Sequence, residues 1–278
     1  MLPAIILYTL FFIIPNFAAF GFALTDWNSY RSEVNFIGLE NFRTIFLGDS
    51  RYLRFITNTL IYTAVSVVLK IGLGLGLAVL LDRGIKGRDF FRVTFYLPVI
   101  LPSIVVGIVF KAFLHPQGLV NQILEFMGLG FLAKAWLVDN ATALFSIILV
   151  EVWRVTGYVM VIFLAGLQLI PQSYYEAAEI DGAGGWAKFR HITLPLISYS
   201  MMVNVVLQLI AGLKVFSIVM VMTGGGPGFR TGVVNLAVFE LYSGGLYGLS
   251  TAFGVLLFVV ILIAAFGAIK LMDKEVEL

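Results

Sequence analysis

The chain has 278 residues, of which 60% are hydrophobic and only 12% charged, and its mean hydropathy is +0.99. A soluble domain of this size cannot bury that much apolar surface, so lipid must be the solvent for much of it. A formal charge of +2 gives no electrostatic case for nucleic acid, and the absence of cysteine excludes disulfides and thiolate chemistry.

The chain opens on an apolar run, residues 1–24. It lacks the basic start of a signal peptide and is long enough to cross a hydrocarbon core of about 30 Å, so it is predicted as a retained first span rather than a leader. Five further spans are expected near 57–81, 90–114, 141–170, 193–222 and 251–272, the longer ones tilting or protruding. The fold class is an all-α membrane protein, with six transmembrane helices in one domain over 1–278. Segments 35–46 and 118–126 mix apolar and polar residues at helical spacing and read as interfacial helices. No internal repeat or low-complexity linker is evident.

Within span two, Gly72 and Gly76 form a small-xxx-small pair expected to admit a neighbouring helix. Thr59, Thr63, Ser66 and Lys70 share one face, which must look at protein or water. Pro98 and Pro102 are expected to bend span three. Loop 82–92 carries Arg83, Lys86, Arg88 and Arg92, the loop after span four carries Lys188 and Arg190, and the tail carries Lys270 and Lys274. The excess of basic residues in these short loops places both termini, 82–92 and 171–192 in the cytoplasm, against the opposing vote of Arg31, Arg43, Arg51 and Arg54 in the first outer loop. The histidines, His115 and His191, fall in different loops, which argues against a metal site.

The loop between spans four and five reads IPQSYYEAAEIDGAGGWAKFRHITLPL. Ser173 and Glu176 have capping-box spacing, Ala177 and Ala178 favour helix, and Asp181-Gly182 signals a turn. Pro195 is expected at the start of the next span, where its fixed φ is tolerated. A short helix with a small-residue face suits another protein's groove.

Glu176-Ala177-Ala178, then Gly182, then Ile192-x-Leu194-Pro195 resembles the EAA loop of binding-protein-dependent ABC importer permeases. The resemblance extends through FIGLENF (36–42), FYLP (95–98), HPQGLVNQIL (115–124), EVWRVTGY (151–158), LAGLQLIP (164–171) and TGGGPGFRT (223–231), which look like the carbohydrate branch of maltose-type and glycerol-phosphate-type importers. It implies an ABC importer permease fold whose coupling helix, between helices four and five, docks on an ATPase through Tyr174, Glu176, Ala177, Ala178, Asp181, Gly182, Ala183 and Gly184. It also implies a second homologous permease, a cytoplasmic ATPase dimer that binds ATP and Mg, an extracytoplasmic solute-binding protein and a carbohydrate substrate. This chain itself would bind no cofactor and would sit in a bacterial or archaeal cytoplasmic membrane. No Gly-Lys pair occurs, so there is no P-loop, and Ser243-Gly244-Gly245 reads as a plain loop.

Charges inside spans are costly, which makes each a site candidate. Glu151, Arg154 and Tyr158 share a face of span four and are open to two readings: a polar wall of the solute path, or a self-neutralising pair that fixes packing. On span five, Asn204, Gln208, Gly212 and Val215 form one stripe. The last three match positions that contact sugar in the resembling maltose-type permeases, but Gly212 and Val215 bring no hydrogen-bonding side chain. Phe110 and Phe113 are candidates for stacking on a sugar ring or for packing. The glycine-rich 223–231 segment reads as a flexible outer loop, either a contact for the binding protein or a connector. The rivals are a proton-coupled transporter with Glu151 as relay and a scaffold subunit; no nucleophile–base pair or metal constellation suggests an enzyme.

Overall fold

The computed structural model describes residues 2–82, 84 and 86–273. Arg83 and Lys274, two of the basic residues behind the predicted orientation, lie outside them. The described residues are overwhelmingly helical, with one isolated β-bridge between Thr25 and Phe36. In chain order the helices are α1 (Leu2–Phe22), α2 (Glu40–Arg43), α3 (Ser50–Asp82), α4 (Arg88–Ile100), α5 (Ser103–Phe113), α6 (Leu119–Phe126) and α7 (Ala143–Leu167). They continue as α8 (Gln172–Ile180), α9 (Gly185–Leu196), α10 (Ser198–Leu213), α11 (Ser217–Met222), α12 (Val234–Ser243) and α13 (Tyr247–Asp273).

Four of these, α1, α3, α7 and α13, are long and apolar enough to cross a membrane unaided. The expected third and fifth spans are each broken. Helices α4 and α5 meet at 95°, and α9 and α10 at 67°; with each pair taken as one span the total is six. The first break falls at Leu101, whose backbone is extended (φ −73°, ψ 131°) because it precedes Pro102, and a residue before proline avoids the helical region. The fifth span breaks again between α10 and α11, where Phe216 leaves helical geometry (φ −151°, ψ −67°). Pro195 does not begin that span. It sits near the end of α9 just before the bend, where its missing N–H opens the hydrogen-bond ladder. Helix α12 was not anticipated.

Helix α7 is the axis of the bundle. Two-thirds of its apolar window (67%) is buried, against none of α1 and 17% of α13. It packs chiefly on α3, and also on α4, α10 and α11. Close approach to α3 occurs at Gly74, where a Cβ would lie 2.6 Å from Val159 Cγ1. Gly72 and Gly76, the expected contact pair, face outward with nothing against them, because a hundred degrees of helical rotation per residue puts Gly74 on the packed side. On its other flank α7 offers Gly157 to the Phe95 carbonyl of α4, which leaves no room for a side chain.

Candidate functional site

The first candidate element is α8 and the turn after it. Helix α8 starts one residue past Pro171, and no side-chain cap is made there, so Ser173 is the second helical residue and not the cap of a capping box. The helix ends in a Schellman turn: Ala183 N–H donates to Ala178 O and Gly182 N–H to Glu179 O, with Gly182 at φ +76°. The eight residues assigned by resemblance surround this turn. Tyr174, Glu176, Ala177, Asp181, Gly182 and Gly184 are exposed, and Ala178 and Ala183 are half-buried. No residue of α8 is buried, and Ile180 is 88% exposed at its tip. Two contacts tie α8 to α9. The Tyr175 hydroxyl bonds Thr193 Oγ1 at 3.0 Å, and Lys188 Nζ donates to Glu179 Oε1 at 2.7 Å. Lys188 holds the Glu179 carboxyl below the usual glutamate range by that hydrogen bond and by its charge. Thr193 is buried and leads through α9 into α10. A cavity of about 530 Å³ separates this element from the end of α3.

The second element is a polar interior between α3, α7 and α10. Glu151 and Arg154 form a bidentate pair, with Nη2 to Oε1 at 2.8 Å and Nε to Oε2 at 2.9 Å. Lys70, 1% exposed, lies 3.8 Å from Glu151 Oε1 and was not foreseen as its partner. Thr59, Thr63 and Ser66 complete the polar face of α3, all buried as expected. On α10, Asn204 and Gln208 are 0% and 2% exposed, and the space of Gly212 is taken by Thr63. Val215 belongs to the apolar core. The predicted stripe is enclosed within this chain: Asn204 Nδ2 reaches the Val159 carbonyl of α7 at 3.4 Å, and Gly212 lies against Thr63 of α3. Three buried oxygens here find no hydrogen-bond partner among the described residues: Tyr62 Oη, Asn204 Oδ1 and Gln208 Oε1. Arg154 and Tyr158 are half-buried and continue along α7 into exposed Val161 and Ala165. The signal for Lys70 was present as a mid-span charge; its pairing depended on how α3 and α7 align. Phe110 packs on Trp153 (centroids 5.2 Å) and Phe113 (5.8 Å).

The 223–231 segment is pinned rather than loose. Arg54 Nη1 donates to Gly228 O, Asn58 Nδ2 to Phe229 O and Gly232 O, and the Thr223 and Thr231 hydroxyls bond each other at 2.7 Å. Of the expected loop Ser243-Gly244-Gly245, Ser243 is the last residue of α12, and Gly245 turns against Ser29 at φ +76°.

A bundle of apolar helices with two broken spans and a short exposed helix on a tethered loop outside them defines a multi-span membrane protein. Residues 70–278 match the family described as "binding-protein-dependent transport system inner membrane component", and the chain belongs to that family. It is 36% identical over 264 residues to the trehalose/maltose transport system permease protein MalF of Thermococcus litoralis, covering 94% of this chain and 88% of that one. It is 32% identical to the multiple sugar-binding transport system permease protein MsmF of Streptococcus mutans, covering 99% and 94%. A chain of a bacterial alginate ABC transporter, solved with its alginate pentasaccharide-bound periplasmic protein, superposes with a TM-score of 0.85 at 25% identity, covering 99% and 93%. The chain is accordingly a non-catalytic inner-membrane permease component of an ABC importer.

Proposed function

We propose that this chain forms half of the translocation path of an ATP-driven carbohydrate importer and works by alternating access. Its companions are a second homologous permease, a cytoplasmic ATPase dimer that binds ATP and Mg, and an extracytoplasmic binding protein that delivers the sugar. The observation that carries the reading is α8: a nine-residue helix with no buried residue, tied to α9 by the Tyr175–Thr193 and Glu179–Lys188 contacts. A force applied to α8 reaches α10 through Thr193 without crossing a flexible linker. Relatives named for maltose, trehalose and multiple sugars support the substrate class.

In this reading both termini and α8 lie in the cytoplasm. Arg154 and Tyr158, on the open face of α7, meet the solute. Glu151, Asn204, Gln208, Gly212 and Val215 shape the wall behind them, since all five are buried. The ATPase states must hold α8 in different surroundings, otherwise nucleotide could not bias the path.

The test is uptake by the assembled importer carrying Glu176→Lys or Gly182→Val. Glu176 is exposed, and at Gly182 the positive φ, not space, opposes a side chain. Both variants are expected to reach the membrane and to lose most sugar uptake and ATPase association. Full uptake in both would refute the coupling role.

A further inference from the structure

Two acceptors of the polar interior are left without a donor. Asn204 Oδ1 and Gln208 Oε1 are enclosed on α10, one turn apart, and neither meets a donor among the described residues. Buried acceptors left in this way are rare and costly. The hydroxyls on the polar face of α3 are already spent. Thr59 donates to Phe55 O, Thr63 to Thr59 O and Ser66 to Thr63 O, each within its own helix. On α7, Thr156 donates to Val152 O, and Arg154 gives Nε and Nη2 to Glu151. Tyr62, whose hydroxyl is also unengaged, belongs to the apolar cluster of Ile147, Val150 and Val215, beyond Gly212 from Gln208.

The donor that remains on this face of α3 is the Lys70 ammonium, and helical register puts it opposite the two acceptors. Helix α3 meets α10 where Thr63 takes the space of Gly212; farther along, Gly74 of α3 and Asn204 of α10 both meet Val159 of α7. Lys70 falls between Thr63 and Gly74 on the same face of α3, and Gln208 falls midway between Asn204 and Gly212 on α10. The Lys70 ammonium is turned toward α7 instead, 3.8 Å from Glu151 Oε1 and beyond hydrogen-bond length. Glu151 does not depend on it, because Arg154 already holds both carboxylate oxygens. A lysine carries three rotatable donors on a flexible stem, so its head can change partner while its own backbone stays in place.

We propose that Lys70 is a two-position latch of the transport cycle: its ammonium rests by Glu151 of α7 in the present arrangement and donates to Gln208 Oε1 and Asn204 Oδ1 of α10 in the other. The latch rests on the alternating-access reading above and names the contact through which α10, driven from α8 by way of Thr193, changes its hold on α3. One loosely filled seat and one waiting seat give two discrete arrangements of the same packed helices, which is what a switch requires. Lys70 is thereby the interior group whose loss acts on transport before it acts on stability.

The experiment uses the assembled importer in nanodiscs, with lysine side-chain nitrogens isotope-labelled for nuclear magnetic resonance; the Lys70 signal is the one missing from K70M. The signal is read without nucleotide and after trapping with ATP and vanadate. In wild type it is expected to move on trapping, and in Q208L to stay where it is. Sugar uptake is expected to fall about tenfold in K70M and in Q208L alike, the worth of one hydrogen bond to a charged group. The double variant should fall no further, because both changes remove the same link. If Q208L does not fold, wild type and K70M still decide. A Lys70 signal unmoved by trapping, in an importer that hydrolyses ATP and takes up sugar, would overturn the latch and leave alternating access standing. Failure of wild type to trap or to take up sugar would overturn the wider reading and the latch with it. Full uptake by K70M would also overturn the latch, as would full uptake by Q208L, the result expected if water alone serves the amide.

Discussion

Helix α8 and the polar interior of α3, α7 and α10 carry opposite kinds of incompleteness. The interior holds costly groups that have been brought together inside one chain: Glu151 is clamped by Arg154 and approached by Lys70. Helix α8 carries the reverse, apolar and small residues left in the open, with Ile180 88% and Tyr174 53% exposed. A buried charge must find its partner within the fold, because the cost of leaving it alone is several kcal/mol. An exposed side chain on a short tethered helix needs no such partner to fold, so it is free to serve another protein. The contrast predicts that changes in the interior act first on stability and changes in α8 act first on coupling.

The largest effect is expected where the comparison is sharpest. Glu151→Gln leaves buried Lys70 and half-buried Arg154 with no anion between them, a loss of about 3 kcal/mol, the lower end of the cost of breaking a buried pair because Arg154 keeps some exposure. Unfolding of the purified chain in detergent, followed by tryptophan fluorescence, measures it. Lys70→Met is the matched control. It removes a cation that stands 3.8 Å from Glu151, beyond hydrogen-bond length, and leaves the bidentate Glu151–Arg154 pair intact, so its effect should be near zero or stabilising. Equal destabilisation by both would mean that Lys70, not Arg154, is the principal partner.

How much of this was legible in the sequence divides along the same line. The turn after α8 could be read from Asp181-Gly182, because a local hydrogen-bond pattern with one positive φ has a local signature. The bend at Leu101 could be read from Pro102 for the same reason. The break at Ile197 follows Pro195, which reads in the sequence as opening the span rather than bending it, and the break at Lys214–Phe216 has no proline; neither was legible. Helix α12 was missed because its ten residues lie between glycine-rich turns that dominate the local reading. In the interior each charge was visible as a cost, but the pairing of Lys70 with Glu151 depends on the alignment of helices some eighty residues apart in the chain. The same blindness assigned close packing to Gly72 and Gly76, when rotation of α3 gives that role to Gly74.

A smaller and differently distributed effect is expected at the tip of α8. Ile180→Ser removes a side chain that touches almost nothing in this chain, so stability should stay within about 0.5 kcal/mol of wild type. Association with the ATPase, measured by co-purification and by ATP-dependent uptake, should fall severalfold. A variant that unfolds while still binding ATPase would reverse the assignment of the two regions.

The smallest effect concerns the link between α8 and α9. Glu179 is ionised more readily in the fold than in the unfolded chain, because Lys188 donates a hydrogen bond to it and adds its charge. A carboxylate with a lowered folded value contributes its stability fully above the ordinary glutamate range and loses it as the pH falls through that lowered value. The pair lies at the surface, so the contribution is slight and weakens with salt. Amide exchange at Ala183, whose N–H closes the turn onto Ala178, is the local readout. Exchange there, corrected for intrinsic rate, should quicken as the pH drops into the acidic range in wild type. In Glu179→Gln it should already be quick at neutral pH and show no further acid step. A wild-type profile as flat as the variant's would mean that Tyr175 and Thr193 alone hold α8 to α9.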